Sequence, residues 1–445
     1  MASEMRETTF QQLINEGLLE IGDGYRAQNN ELGGTGPIFL RAGHVTDTHI
    51  DFKDVEHFHA DLTEKVRSKM SRVDDTIITT KGNSTGRTSF VTERLPPFVY
   101  SPHLSYWRSR DPTKLYSGFL RYWSQGTEFI EQLSAMKTST DMAPYLSLTD
   151  QRRLKIKLPP LTDQKAISMA LGALDEKIEL NRRMNTTLEA MARALFQSWF
   201  VDFDPVRAKL DGQTPSGIDP GTTALFPDNF QESRIGPIPN GWEARPLEEM
   251  IEIVKGRSYR SSELDESRTA LVTLKSFLRG GGYRTDGLKP FTGEFKTNQK
   301  VRPGDLVVAL TDVTQAADVI GKPALVRSDA RFHTLVASLD VGIVRSKSEN
   351  ASLPFLYCLF LTSDFQAHTY SHVTGTTVLH LNATAIPKFV CVIPPVGISK
   401  LFAKRADPIF RLIDENANQS STLTALRDLL LPNLLNGEIT VTLSR

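Results

Sequence analysis

The sequence predicts an α+β fold: two similar mixed α/β domains separated by two long antiparallel coiled-coil helices. Three observations carry that prediction: a long-period internal repeat, an apolar heptad pattern closing each copy, and a block of proline and glycine between the copies. A chain of 445 residues exceeds one ordinary core, and 40% hydrophobic with 23% charged residues is the composition of a folded protein. The domains are expected at 1–157 and 242–391, and the first helix at 158–204. A connector is expected at 205–241, and the second helix with a C-terminal tail at 392–445.

The repeat is clearest in the helices. The stretch opening LPPLTDQKAI at Leu158 aligns without a gap with the one opening IPPVGISKLF at Ile393. Pro159, Pro160, Lys165, Ile178, Asn181, Thr187, Leu188, Ala190 and Leu195 recur 235 positions later as Pro394, Pro395, Lys400, Ile413, Asn416, Thr422, Leu423, Ala425 and Leu430. Weaker echoes lie upstream. Asp75-Thr-Ile-Ile answers Asp305-Leu-Val-Val, each a polar turn feeding a buried strand. Tyr106-Trp-Arg-Ser answers Ile343-Val-Arg-Ser, and Gly24-Tyr25-Arg26 answers Gly256 with Tyr259-Arg260.

Within the first helix, Ile167, Leu171, Leu174, Ile178, Leu188, Leu195 and Trp199 fall on a four-three alternation, with Asn181, Asn185 and Ala192 at the remaining steps. The second copy runs Phe402, Ala406, Ile409, Ile413, Asn416, Ser420, Leu423, Arg427, Leu430, Leu434. Sustained heptads favour a coiled coil. Asn181 and Asn416 share one seam position, where a buried contact between them would fix register at a cost in stability. A two-fold relation between the copies would make the helices antiparallel. Pro408 is expected to kink or restart the second helix about three turns in. Between the copies, Pro205, Pro215, Pro220, Pro227, Pro237 and Pro239 with interspersed glycines mark a connector rather than a regular element.

Several function classes are excluded. With 52 basic and 52 acidic residues the chain cannot coat nucleic acid by bulk charge, so any contact must come from local patches. Two cysteines, Cys358 and Cys391, cannot form a disulfide scaffold, and they point to a reducing cytoplasmic setting. The longest apolar run, Phe355 to Leu361, is too short for a bilayer, and no secretory signal is read at the start. Asp202 and Asp204 flank Phe203 and read as capping or solvated carboxylates rather than a metal pair. Leu95-Pro96-Pro97-Phe98 has leucine where amino-methyltransferases need a polar acceptor. Gly82 to Thr88 is one residue short of a phosphate-binding loop and has Arg87 where lysine is required. The glycines at 22–24 and 33–36 precede no helical pattern, which argues against a dinucleotide site. His57/His59 and His368/His372 lack a third ligand. No catalytic and no metal site is expected.

Nucleic-acid contact has better candidates. Between Lys255 and Lys289 eight basic residues face four acids, with Tyr259 and Tyr283 interleaved and three glycines at 280–282. Such cations neutralise phosphates, and arginine also reads guanine edges. The candidates there are Arg257, Tyr259, Arg260, Lys275 and Arg279. In the first domain they are Tyr25, Arg26, Lys81 and Arg87. One hydroxyl-rich loop late in each domain adds Thr138 and Thr140 in the first and Thr376 and Thr377 in the second.

FQSWFVDFDPV (196–206), LPPLTDQKAI (158–167), IPNGWEARPL (238–247) and LLLPNLLNGEITV (429–441) together resemble the DNA-specificity subunit of type I restriction-modification systems. The resemblance spans the whole order of domain, helix, domain, helix; Pro408 and the middle of the second helix depart from it. It implies a subunit with no active site. Each domain would read one half of an asymmetric bipartite target in double-stranded DNA, and the helices would set the unread spacer. It further implies two modification subunits using S-adenosylmethionine, and restriction subunits driven by ATP with Mg2+; this chain would hold no cofactor. The competing reading is a coiled-coil scaffold that binds proteins only.

Overall fold

A computed structural model describes residues 5–46, 49–137, 145–215, 217–314 and 316–441. Contacts divide the chain into two units, Met1–Glu179 with Ser420–Arg445, and Leu180–Gln419.

In the first unit the β-rich segments Thr-Ile-Ile-Thr and Leu-Ser-Tyr-Trp-Arg-Ser become neighbouring buried strands. They form an antiparallel sheet in the order Leu19–Asp23, Leu104–Ser109, Thr76–Thr79, Thr88–Phe90. A second sheet orders Glu56–His57, Ile38–Leu40 and Phe98–Tyr100, the last two parallel. Arg6–Thr9 pairs antiparallel with Lys155–Leu158 and so ties the start of the unit to the strand before the long helix. Helices Ser117–Trp123 and Thr127–Lys137 supply the aromatic core, in which Trp107 meets Phe10 and Phe129 edge-on at 4.8 and 5.4 Å.

The second unit repeats this plan. Its four-stranded sheet runs Ile251–Lys255, Val341–Ser346, Leu306–Ala309, Pro323–Leu325. Its second sheet centres on the parallel pair Thr269–Val272 and Thr334–Ala337. Glu243–Pro246 pairs with Val390–Ile393 as Arg6–Thr9 pairs with Lys155–Leu158. The echoes at Asp75/Asp305 and at Arg108/Arg345 therefore fall on matching strands. Helices Leu353–Phe360 and Ser363–Ser371 match the first unit's helical pair.

Each repeat leads into a 40-residue helix, Leu161–Phe200 and Val396–Leu435. In the second unit Phe196 meets Phe402 at 5.8 Å, while Asn185 Nδ2 donates to Ile413 O at 3.0 Å and Asn181 Nδ2 to Asn416 O at 3.2 Å. In the first unit Asp175 pairs with Arg427 at 3.0 Å, and Ile167 and Leu171 share a core with Leu431 and Leu434. Numbers rise along one helix as they fall along the other, so the pair is antiparallel.

Two expectations need correction. Pro408 neither ends nor restarts its helix, which runs unbroken through it. Pro408 is exposed while Phe402, Ala406 and Phe410 are buried, so the ring and the carbonyl it leaves unbonded fall on the solvent side. The connector is also more regular than its punctuation implied. It holds helices Asp204–Leu210 and Pro220–Leu225, each with proline in its first turn, where no N–H is needed. Val206 and Phe226 pack with Trp199 and Trp242 in the second unit's core. Phe203, in a left-handed conformation (φ 56°), separates the long helix from the next.

Candidate nucleic-acid interface

Antiparallel pairing gathers the candidate loops. In the first unit the strands ending at Asp23 and Thr79 lie beside the start of Leu104–Ser109, with Asp23 opposite Ser105 and Thr79 opposite Leu104. Loops 24–28, 80–87 and 101–103 therefore emerge at one end of the sheet, bringing Tyr25, Arg26, Lys81 and Arg87 together. Gly24 makes this possible: a Cβ there would stand 2.1 Å from the Ser101 carbonyl oxygen. Lys81 forms a β-bridge to Tyr145.

The second unit builds the same end. A Cβ on Gly256 would stand 2.1 Å from Ser338 O, and the loop after it carries Arg257, Tyr259 and Arg260. Thr376 and Thr377 tip the hairpin of Val373–Thr374 and Leu379–Leu381, whose second strand pairs with Thr311–Asp312. Lys275 follows strand Thr269–Val272, and Gly280 N donates to Asp318 O at 2.8 Å, drawing the Arg279 loop in. Asp312 accepts from the N–H groups of Thr314, Val319 and Ile320 at 2.7, 2.6 and 3.1 Å. Burial opposes its charge, yet these donors prevail and hold the carboxyl below its ordinary value. Thr138 and Thr140 lie outside the described residues.

Hydrogen bonds also correct the alignment of the repeats. Tyr25 N donates to Tyr100 O at 2.7 Å and Arg257 N to Ala337 O at 2.8 Å. Gln28 N and Arg260 N each donate to a glutamate, Glu31 or Glu263, at 2.8 Å. Tyr25 thus corresponds to Arg257, and Gln28 to Arg260; the sequence echo had set Tyr25-Arg26 against Tyr259-Arg260.

Side-chain environments divide the candidates. Tyr25 donates to Glu31 Oε1 at 2.9 Å and meets Phe58 edge-on. Arg257 is held by Glu263 at 2.6 Å and lies over Phe291. The Tyr259 hydroxyl accepts from Lys289 Nζ at 3.0 Å, Arg87 Nη1 donates to Val45 O at 2.9 Å, and Arg279 is 3.8 Å from Asp318. Tyr25, Arg257, Tyr259 and Arg87 are thereby tied to the scaffold, whereas the Arg279 side chain stays largely exposed. Arg26, Lys81, Arg260 and Lys275 are exposed and form no ion pair among the described residues, and Thr376 and Thr377 are exposed as well. Arg41 and His103 were missed. Only the fold brings them beside Arg26, and no local motif marks them.

Groups set aside as chemistry have structural partners. Gln197 Nε2 donates to Asp202 at 2.9 Å, and Asp204 opens a helix. His368 Nε2 lies 2.9 Å from Ala385 O and His372 Nδ1 2.8 Å from His368 O. Burial pushes the thiols of Cys358 and Cys391 up to about 12. Among the described residues no helix is long and apolar enough to cross a membrane.

The family described as type I restriction modification DNA specificity domain matches residues 24–190. Beyond them, the chain is 25% identical over 366 residues to the type I restriction enzyme HindI specificity subunit of Haemophilus influenzae, covering 71% of this chain and 75% of that one. It is also 25% identical over 325 residues to the MjaIX specificity subunit of Methanocaldococcus jannaschii, covering 71% of this chain and 66% of that one. The fold resembles that of the type I S subunit from M. genitalium, with TM-score 0.53 and 15% identity over 97% of this chain and 96% of that one. The matched specificity domain stops inside the first long helix, and the second unit is linked to it by their shared strand order.

Proposed function

We propose that this chain is the non-catalytic DNA sequence-recognition subunit of a type I restriction-modification complex, reading an asymmetric bipartite target. The observation that carries this reading is the duplicated sheet end, which presents exposed basic side chains in each unit and, in the second, the hydroxyls of Thr376 and Thr377. Domains 1–157 and 242–391 each read one half of the target. The antiparallel helices at 158–204 and 392–445 fix the spacer, since about 40 helical residues reach roughly 60 Å against about 34–36 Å per DNA turn. The partners are double-stranded DNA, two modification subunits that carry S-adenosylmethionine, and restriction subunits that carry ATP and Mg2+. Arg26, Lys81, Arg260, Lys275, Thr376 and Thr377 are the contacts we favour.

Exchanging residues 242–391 for the matching domain of another specificity subunit tests the reading through the methylation pattern of the assembled complex. One half of the target should change while the other half and the spacer remain. A change in both halves would overturn the two-reader arrangement, and a complex that protects no DNA would favour the protein-only scaffold.

A further inference from the structure

The first unit contains a recess of about 390 Å³ lined by Arg26, Phe39, Arg41, Gly43, Pro102 and His103. Arg41 is oriented for it, with Nε donating to Glu56 Oε2 at 2.5 Å and the guanidinium 5.0 Å from the Phe39 ring centroid. The same hydrogen bonds locate the matching place in the second unit. Arg41 N donates to His44 Nδ1 at 3.2 Å as Thr273 N does to Ser276 Oγ at 3.2 Å. Ser101 N donates to Leu40 O at 3.0 Å as Ser338 N does to Val272 O at 2.9 Å. Arg41 thus stands where the second unit has Thr273, Gly43 where it has Lys275, His103 where it has Asp340, and Arg26 where it has Ser258. One backbone frame carries two guanidiniums and an imidazole, offset by Glu56, in one repeat. In the other it carries a lone lysine opposite a carboxylate.

We propose that the first unit's recess receives an acceptor-only group of bound DNA, a backbone phosphate or the O6/N7 edge of a guanine. Guanidinium groups offer only donors, in a planar fork that suits both acceptors. Phe39 and Pro102 supply an apolar wall beside these donors. The proposal rests on the DNA-recognition reading and assigns one subsite within it.

Gly43 offers a test that spares the fold. A Cβ added there meets nothing within 4 Å, and the matching position in the second unit already carries Lys275. Gly43→Asp places a carboxylate at the recess, with Gly43→Ala as the steric control and Arg26→Ala as the charge deletion. All three are assembled with the modification subunits and titrated with target DNA. Gly43→Asp should bind about tenfold or more weakly than Gly43→Ala, and Arg26→Ala about tenfold or more weakly than the parent. If the group is a phosphate, the loss is uniform across sequences and Arg26→Ala lowers the slope of log K against log salt by about 1. If it is a guanine edge, the loss of roughly tenfold to hundredfold is confined to targets with guanine at one position of the half read by residues 1–157. Gly43→Asp binding like Gly43→Ala at every salt concentration would overturn the recess. A parent complex that binds no DNA would instead remove the reading beneath it.

Discussion

The two units use one ion pair at two depths. In both, an aspartate at the entry to a central strand accepts the N–H of the residue three before it, Arg72 or Arg302, at 2.8 or 2.9 Å. Each then pairs with the arginine of the adjacent strand. Arg108 grips Asp75 with a fork, Nε to Oδ1 at 2.6 Å and Nη2 to Oδ2 at 2.7 Å, and Tyr100 adds a third donor at 2.7 Å. Arg345 makes a single bond of 2.8 Å to Asp305. The side chains of Asp75 and Arg108 are 0% and 8% exposed, against 23% and 33% for Asp305 and Arg345. The sheet keeps the same latch in each copy, but burial decides what breaking it costs.

Asp75→Ala would leave Arg108 buried without its main counter-charge, a change worth about 3–5 kcal/mol. The equivalent change at Asp305 leaves a half-solvated arginine and should cost about 1 kcal/mol. Urea unfolding of the two variants measures the difference. Equal losses would show that depth is irrelevant to the latch.

These residues also show how far the sequence could be read. Asp75 and Asp305 were legible as turn residues because the signal is local: a polar residue opening an apolar run. Arg108 and Arg345 sat in a recognisable echo, yet their pairing with the aspartates spans 33 and 40 residues and follows from strand order, which no periodicity encodes. The helices were legible nearly to their ends because heptads repeat a local rule. Pro408 was misread because the rule for proline ignores which side of the helix meets water. The candidate surface was only partly legible: basic residue types stand out in a sequence, whereas the carboxylate that neutralises Arg257 is placed by folding.

The long helices offer a second contrast. Where they pass through the first unit, Leu171, Leu431 and Leu434 pack in the core beside the Asp175–Arg427 ion pair. In the second unit an asparagine layer joins the apolar contacts such as Phe196–Phe402. Asn181 donates to Asn416 O and, at 2.8 Å, to Gln419 Oε1, while Asn416 Nδ2 donates to Asn185 Oδ1 at 2.9 Å. Leucine contacts tolerate sliding by a turn, but amide bonds to main-chain carbonyls do not, so the asparagines are proposed to set the register. Asn416→Leu should change stability by about 1–2 kcal/mol and weaken discrimination between spacers differing by one base pair about tenfold. Competition binding of the assembled complex to such targets checks this, and parent-like discrimination would remove the register role.

The smallest expected effect separates two matching caps. Glu31 is held at about 2, first by the hydrogen bond from Lys65 and then by the N–H of Gln28. Glu263 is lowered first by the N–H of Arg260, with Arg257 adding a side-chain bond. A carboxylate with a depressed folded pKa contributes stability that is complete above its unfolded value, about 4.3, and is lost as pH falls through the folded value. The Glu31 contribution should therefore fade between about pH 4.3 and 2. Lys65→Ala removes the leading cause and leaves the backbone donor, which makes the first cap resemble the second. Its melting temperature should differ from the parent's at pH 5 and converge with it toward pH 2, where the carboxylate is protonated in both. Melting curves that stay parallel across that range would mean that Lys65 acts through packing rather than through the charge on Glu31.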